Sequence, residues 1–165
     1  MIGIRAITIG VAAAFLAGCS VTAQYEDVSS SSQYQSLMGQ RLAATSELLL
    51  HRVTQDQGRE GQVDLCSVTP PPGFVGPEVI DRSVLSSQAV FKVVGVRRCV
   101  NCLSGERVEL VVLSDDALAC GTAPIIINHQ WVGSSVRLLP SGSVTPNQSF
   151  KPTPSAQPTW ALDLP

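Results

Sequence analysis

The chain has 165 residues, with 13 Asp and Glu against 11 Lys and Arg, two His and five Cys; 44% of the residues are hydrophobic, 15% charged and 5% aromatic. That length fits one modest domain. Low charge together with 13 Gly and 11 Pro argues against a long helical or coiled-coil protein and toward short strands joined by turns, and the net charge of −2 excludes nucleic acid as an expected partner.

Residues 1–18 carry one positive charge, Arg5, followed by an apolar run from Ala6 to Ala17 broken only by Thr8 and Gly10. A dozen apolar residues fall short of the roughly 20 that a bilayer-spanning helix needs. They fit the hydrophobic region of a secretory signal, with Arg5 held on the cytoplasmic side. The run ends in Leu16-Ala17-Gly18-Cys19. Ala17 and Gly18 are small enough for an extended backbone to enter a peptidase groove, and the Cys19 thiol is a nucleophile for lipid transfer. This segment resembles the lipobox of bacterial lipoprotein signal peptides. The resemblance implies cleavage before Cys19, diacylglycerol and N-acyl lipid on that residue as the one covalent addition, and no other cofactor. Several acyl chains at about 0.8 kcal/mol per buried CH2 hold a protein stably on a membrane. Ser20 stands where an Asp marks inner-membrane retention in that family, so the resemblance implies the periplasmic face of an outer membrane. Without Arg5 the net charge becomes −3.

Residues 19–36 are polar, contain four consecutive Ser and follow neither a 2-residue nor a 3.6-residue period; they read as a tether. Fully extended, Ser20 to Gln35 spans about 50 Å. Leu37 to Val53 fits a helix nearly as well as strands, with Thr45-Ser46 as a candidate helix cap, and the strand-like sequence that follows favours strands. Thr54 to Gly61 is a polar loop. Gln62 to Val68 alternates as a half-buried strand, with Val63 and Leu65 inward and the chain around Cys66 to Val68 a further candidate for the inward face. Pro70-Pro71-Pro72 then predicts extended polyproline on the surface or along a sheet edge, in a rigid loop running to Pro77.

Ala89 to Arg98 is the clearest buried strand, with Phe91, Val93 and Gly95 on one face and Val90, Val94 and Val96 on the other. A turn at Leu103 to Glu106 returns it to an antiparallel partner, Arg107 to Leu113. Asp115-Asp116 opens another turn, and Ile125 to His129 and Trp131 to Leu139 supply two more strands. The expected fold is mainly β: a small barrel or sandwich, SH3-like or OB-like, of five or six strands over residues 37–140. Residues 141–165 are a Pro-rich flexible tail. Its segment Pro146 to Pro154 resembles the tails of hypothetical proteins whose reading frame runs through an integron recombination site, which implies gene-cassette history rather than a function.

Cys66, Cys99, Cys102 and Cys120 remain, an even number that reads in an exported chain as two disulfides with three possible connectivities. The favoured pairing is Cys66 with Cys99 and Cys102 with Cys120, which would tie the ends of the second hairpin strand. Cys99-Val100-Asn101-Cys102 also has the spacing of thiol-disulfide oxidoreductases, with Arg97 and Arg98 able to favour a thiolate, although no amphipathic helix follows it. Four thiolates would suit zinc, but an oxidising compartment and the lack of a second Cys-x-x-Cys weigh against a metal.

His51 and His129 each follow an apolar run and read as strand-end residues. Asp115, Asp116, Glu106 and Glu109 read as solvated carboxylates beside turns. No hydrolase elbow, metalloprotease helix or phosphate loop occurs, so no catalytic residue is assigned. The expectation is a lipid-anchored, disulfide-stapled module that binds an envelope protein or cell-wall component through the Pro70–Pro77 loop with Phe74 or the surface near Trp131. The alternative is a redox protein using Cys99 and Cys102.

Overall fold

The computed structural model describes residues 23–54, 61–102 and 105–140. The signal segment with Cys19 and the tail from Ser141 lie outside them. Among the described residues are nine strands: β1 Tyr25–Asp27, β2 Arg41–Ala44, β3 Leu48–Val53, β4 Leu65–Thr69, β5 Val79–Leu85, β6 Val90–Cys99, β7 Arg107–Leu113, β8 Ile125–Asn128 and β9 Val136–Leu138. They form one sheet in the order β5-β3-β4-β8-β7-β6-β2-β9, with β1 also on β6. The β4–β8 pair is parallel and the other strand pairs are antiparallel.

Only Thr45 to Glu47 separate β2 from β3 in the chain, yet the two strands stand second and seventh in the sheet. Three residues cover the roughly 10 Å between packed layers, so the sheet folds over and its two wings face each other. Leu42 and Ala44 of β2 meet Leu48 and Leu50 of β3 in one core, together with Phe91 and Ile127. The result is sandwich-like and mainly β, stapled by two disulfides. No closed barrel is seen among the described residues, where β5 and β9 stand at the two ends of the sheet without pairing to each other.

The hairpin of β6 and β7 forms where alternation predicts it, with Val96 opposite Leu110 and Cys99 opposite Arg107. The expected faces of β6 need correction. A bulge between Val93 and Gly95 inserts one residue, so Val96 joins Phe91 and Val93 in the core while Val94 turns out. The same bulge divides the free edge of β6 between two strands. Residues 90–92 pair with β2 and residues 97–99 with β1, and Ser29 Oγ accepts from Val96 N–H at 2.8 Å in between.

Other expectations also change. Residues 24–36 are not a free tether: β1 joins the sheet, and Val28 and Tyr34 pack on the core. After a 3-10 turn at Gln35–Leu37 the stretch to Val53 forms strands β2 and β3, as the strand reading favoured; Thr45, the candidate helix cap, instead donates from Oγ1 to the Ser134 carbonyl at 2.8 Å. In β4 it is Cys66 and Val68 that enter the core, with Leu65 only half-buried. Trp131 ends a 3-10 turn, and only Val136–Leu138 of its expected strand is extended. The strand β5 has no counterpart in the sequence reading.

Candidate functional site

The cysteines pair as Cys66–Cys120 and Cys99–Cys102, which corrects the expected connectivity. Parallel pairing of β4 with β8 brings this about: Cys66 lies opposite Ile125, its N–H donates to the Pro124 carbonyl at 2.9 Å, and Cys120 is a few residues away. Cys99 ends β6 fully buried, and Cys102 is half-buried in the turn beyond it. Among the described residues no helix follows the pair, and β7 begins at Arg107, so no helix N-terminus there lowers the pKa of either sulfur. Two separate disulfides leave no four-thiolate zinc site, and no group of three or more His, Cys, Asp or Glu with metal-binding geometry occurs among the described residues.

The arginines beside Cys99 are engaged elsewhere. Arg98 reaches Glu26 at 2.8 Å and Glu106 at 3.3 Å. Arg97 is buried with Glu109, Nη2 to Oε2 at 2.7 Å, and its guanidinium lies 4.0 Å from the centre of the Tyr25 ring. Arg107 gives its Nε to the other Glu109 oxygen at 2.6 Å and its Nη2 to the Tyr25 hydroxyl at 3.1 Å. Glu109 is therefore a buried carboxylate at the centre of a network, not a solvated turn residue, whereas Glu106, Asp115 and Asp116 are exposed as expected. The observed register sets Arg97 opposite Glu109, whereas counting outward from the expected turn at Leu103 to Glu106 sets Arg97 against Val112, so the pair carried no signal in the sequence.

His51 lies inside β3, not at its end, and is fully buried. It shares the face of β3 opposite the core with Leu49, and the Pro70–Pro77 loop folds back over both. The loop turns at once, Gly73 N–H returning to the Pro70 carbonyl at 3.0 Å, and does not run as extended polyproline. Gly73 has φ +75° and a Cβ there would sit 2.7 Å from His51 Nε2, so this position needs glycine twice over. Phe74 stacks on the imidazole at 4.3 Å between ring centres and an interplanar angle of 27°. His51 Nε2 is 3.0 Å from Thr69 Oγ1, while Nδ1 has no hydrogen-bond partner among the described residues. The tautomer that fits is Nε2–H donating to Thr69, with Nδ1 bare.

Burial, and after it the Arg82 guanidinium on neighbouring β5, holds the His51 pKa below its ordinary 6.5. The folded protein thus keeps His51 neutral where the unfolded chain takes up a proton. Stability is unaffected well above pH 6.5 and falls as pH drops below it, by roughly 1 kcal/mol per pH unit until the folded-state pKa is reached. Urea unfolding of the wild type and His51→Gln between pH 7.5 and 5 checks this. The wild type loses stability faster than the variant on acidification, and parallel curves would contradict the assignment.

Beyond Phe74 the loop exposes Val75 (83% exposed). With Val79, Asp81 and Arg82 of β5 it encloses an open hollow of about 240 Å³. Trp131 offers no comparable surface: it is half-buried against the core, in a narrow crevice with Leu48, Pro70 and Val136. His129 begins the 3-10 turn directly after β8, edge-on to Tyr34 at 5.9 Å. No helix among the described residues is long and apolar enough to cross a membrane. No protein-family profile matches the chain, and neither the curated proteins nor the solved structures provide a match.

Proposed function

We propose that the chain is a lipoprotein anchored through Cys19 at the periplasmic face of a bacterial outer membrane, where its β domain acts as a binding or structural module of the cell envelope. The observation that carries this reading is Leu16-Ala17-Gly18-Cys19 placed behind Arg5 and an apolar run too short to span a bilayer. Two disulfides in one small domain support an oxidising compartment. The loop carrying Phe74 and Val75 supports a contact surface, because its backbone is already fixed over His51 and loses little entropy on association.

A second reading, a thiol-disulfide redox protein, is favoured by one observation: Cys99 and Cys102 are bonded to each other, as a Cys-x-x-Cys redox pair requires. The burial of Cys99 and the engagement of Arg97 and Arg98 speak against it. Intact mass of the membrane-extracted protein, alkylated with and without prior reduction, tests both readings. The expected result is a chain beginning at lipidated Cys19, with four alkyl groups added only after reduction. An unmodified Cys19 overturns the lipoprotein reading. Two alkyl groups added without reduction, on Cys99 and Cys102, would favour the redox reading, provided that Cys99→Ser abolishes disulfide exchange in a protein that still folds.

A further inference from the structure

We propose that the outer edge of β5 is a strand-addition site for an extended segment of a partner protein with the pattern apolar-x-acidic-x-apolar. This rests on the reading of the chain as a binding module and names what its surface takes. Among the described residues β5 pairs with β3 on one side and ends the sheet on the other. Such an edge presents a row of backbone N–H and C=O groups that pair readily with another chain, and proteins usually blunt it with charged side chains, Pro, a bulge or a covering element; the charges on β5, Asp81 and Arg82, instead restrict which chain can pair there. Here the seven residues Val-Ile-Asp-Arg-Ser-Val-Leu contain neither Pro nor Lys, and four in succession, Asp81 to Val84, are exposed.

The side chains along this edge define the pattern. Val84 lies opposite Leu49 and Arg82 opposite His51, so both project on the face that the Phe74 loop overhangs. Val84 is 63% exposed. The two charges in mid-strand are not equivalent. Asp81 is held by Arg52, whose Nε donates to its Oδ1 at 2.7 Å, whereas Arg82 has no carboxylate partner among the described residues. The hollow begins at Arg82 and Asp81 and runs on toward Val79, where Phe74, Val75 and Gly76 of the loop make its wall apolar. An added strand places its alternate side chains beside Val84, then Arg82, then the hollow. These positions favour an apolar, an acidic and an apolar residue in turn. The Glu78 side chain folds over Gly76 at the rim of the hollow, which disfavours a second acidic residue there.

The test uses the purified full-length protein and a fluorescently labelled heptapeptide, Thr-Val-Thr-Glu-Thr-Val-Thr, with a second peptide carrying Lys in place of Glu. The acidic peptide is expected to bind saturably, and the lysine peptide about five- to tenfold more weakly, since an attraction to an exposed guanidinium becomes a repulsion. Arg82→Glu inverts that order, and Val84→Lys weakens both peptides. Both variants change exposed side chains, and unchanged urea unfolding verifies that they fold. Equal binding of the two peptides, or no binding, overturns the proposal. So does concentration-dependent dimerisation that Val84→Lys abolishes, which would make a second copy the occupant. Envelope crosslinking that recovers the same partner with wild type and Arg82→Glu would leave the module reading standing while removing this site from it.

Discussion

Replacing Cys66 and Cys120 together by Ala lowers the stability of the domain by about 4 kcal/mol, and replacing Cys99 and Cys102 lowers it by only about 2 kcal/mol. The difference comes from the chain each bond closes in the unfolded state. Cys66–Cys120 spans 54 residues and Cys99–Cys102 spans three, and the entropy removed grows with the logarithm of that length. Both sulfurs of the long-range bond are also buried in the core beside Val68 and Ile125, so the Ala pair leaves unfilled volume as well. A small domain has roughly 5 to 15 kcal/mol in all, and for one of about a hundred residues the loss lowers the melting temperature by roughly 15 to 20 °C. Thermal unfolding of the two double variants measures the difference. Equal shifts would mean that Cys66–Cys120 does not act through the length of its loop.

Glu109→Gln is expected to cost about 3 to 5 kcal/mol, the range for removing one partner of a buried ion pair. The side chain keeps its shape but leaves two guanidiniums without their counter-charge. Arg107 is 38% exposed and can turn to water, but Arg97 is 7% exposed beneath Tyr25 and cannot. Arg97→Met in a Glu109→Leu background therefore recovers most of the loss, since it removes the stranded charge with its partner. The Tyr25 ring also loses its cation contact in that background, so β1 detaches first. Amide hydrogen exchange at residues 25–27 should rise even where global stability is restored. A Glu109→Gln protein as stable as wild type would show that the pair contributes nothing net.

The hairpin of β6 and β7 was legible because two long Val-rich runs flank a Gly-containing turn, but its register, and with it the pairing of Arg97 with Glu109, is set by tertiary pairing and was not. The strand β5 was hidden by its place at the edge. Asp81, Arg82 and Ser83 face solvent on both sides, so no alternation marks them. In β6 the bulge at Val94 reversed the inward face halfway along, which no fixed two-residue period can reproduce. In β4 the inward residues are Cys66 and Val68 because parallel β8 sets the register, a pairing that joins segments more than fifty residues apart. That same tertiary choice decided the disulfides. Phe74 and the prolines around it mark this loop in the sequence as a contact surface; the half-burial of Phe74 on His51 depends on β3 and β4 lying side by side and has no local signal.

The docking of β1 onto β6 determines how far the domain can stand from a membrane. With Cys19 as the proposed anchor, only Ser20 to Gln24 separate the lipid from the first paired residue, a reach of at most about 16 Å rather than the 50 Å of a free segment ending at Gln35. β1 joins the sheet at the Cys99 end of β6, and strand registers place the start of the Pro70 loop at that same end, since Arg97 pairs with Glu109, Glu109 with Asn128, and Val68 with Ile127. Such a domain would lie close to the lipid headgroups with that end turned toward the bilayer. Partners would then approach it from the side, within the membrane-proximal layer, and a soluble protein deep in the periplasm would be out of its range.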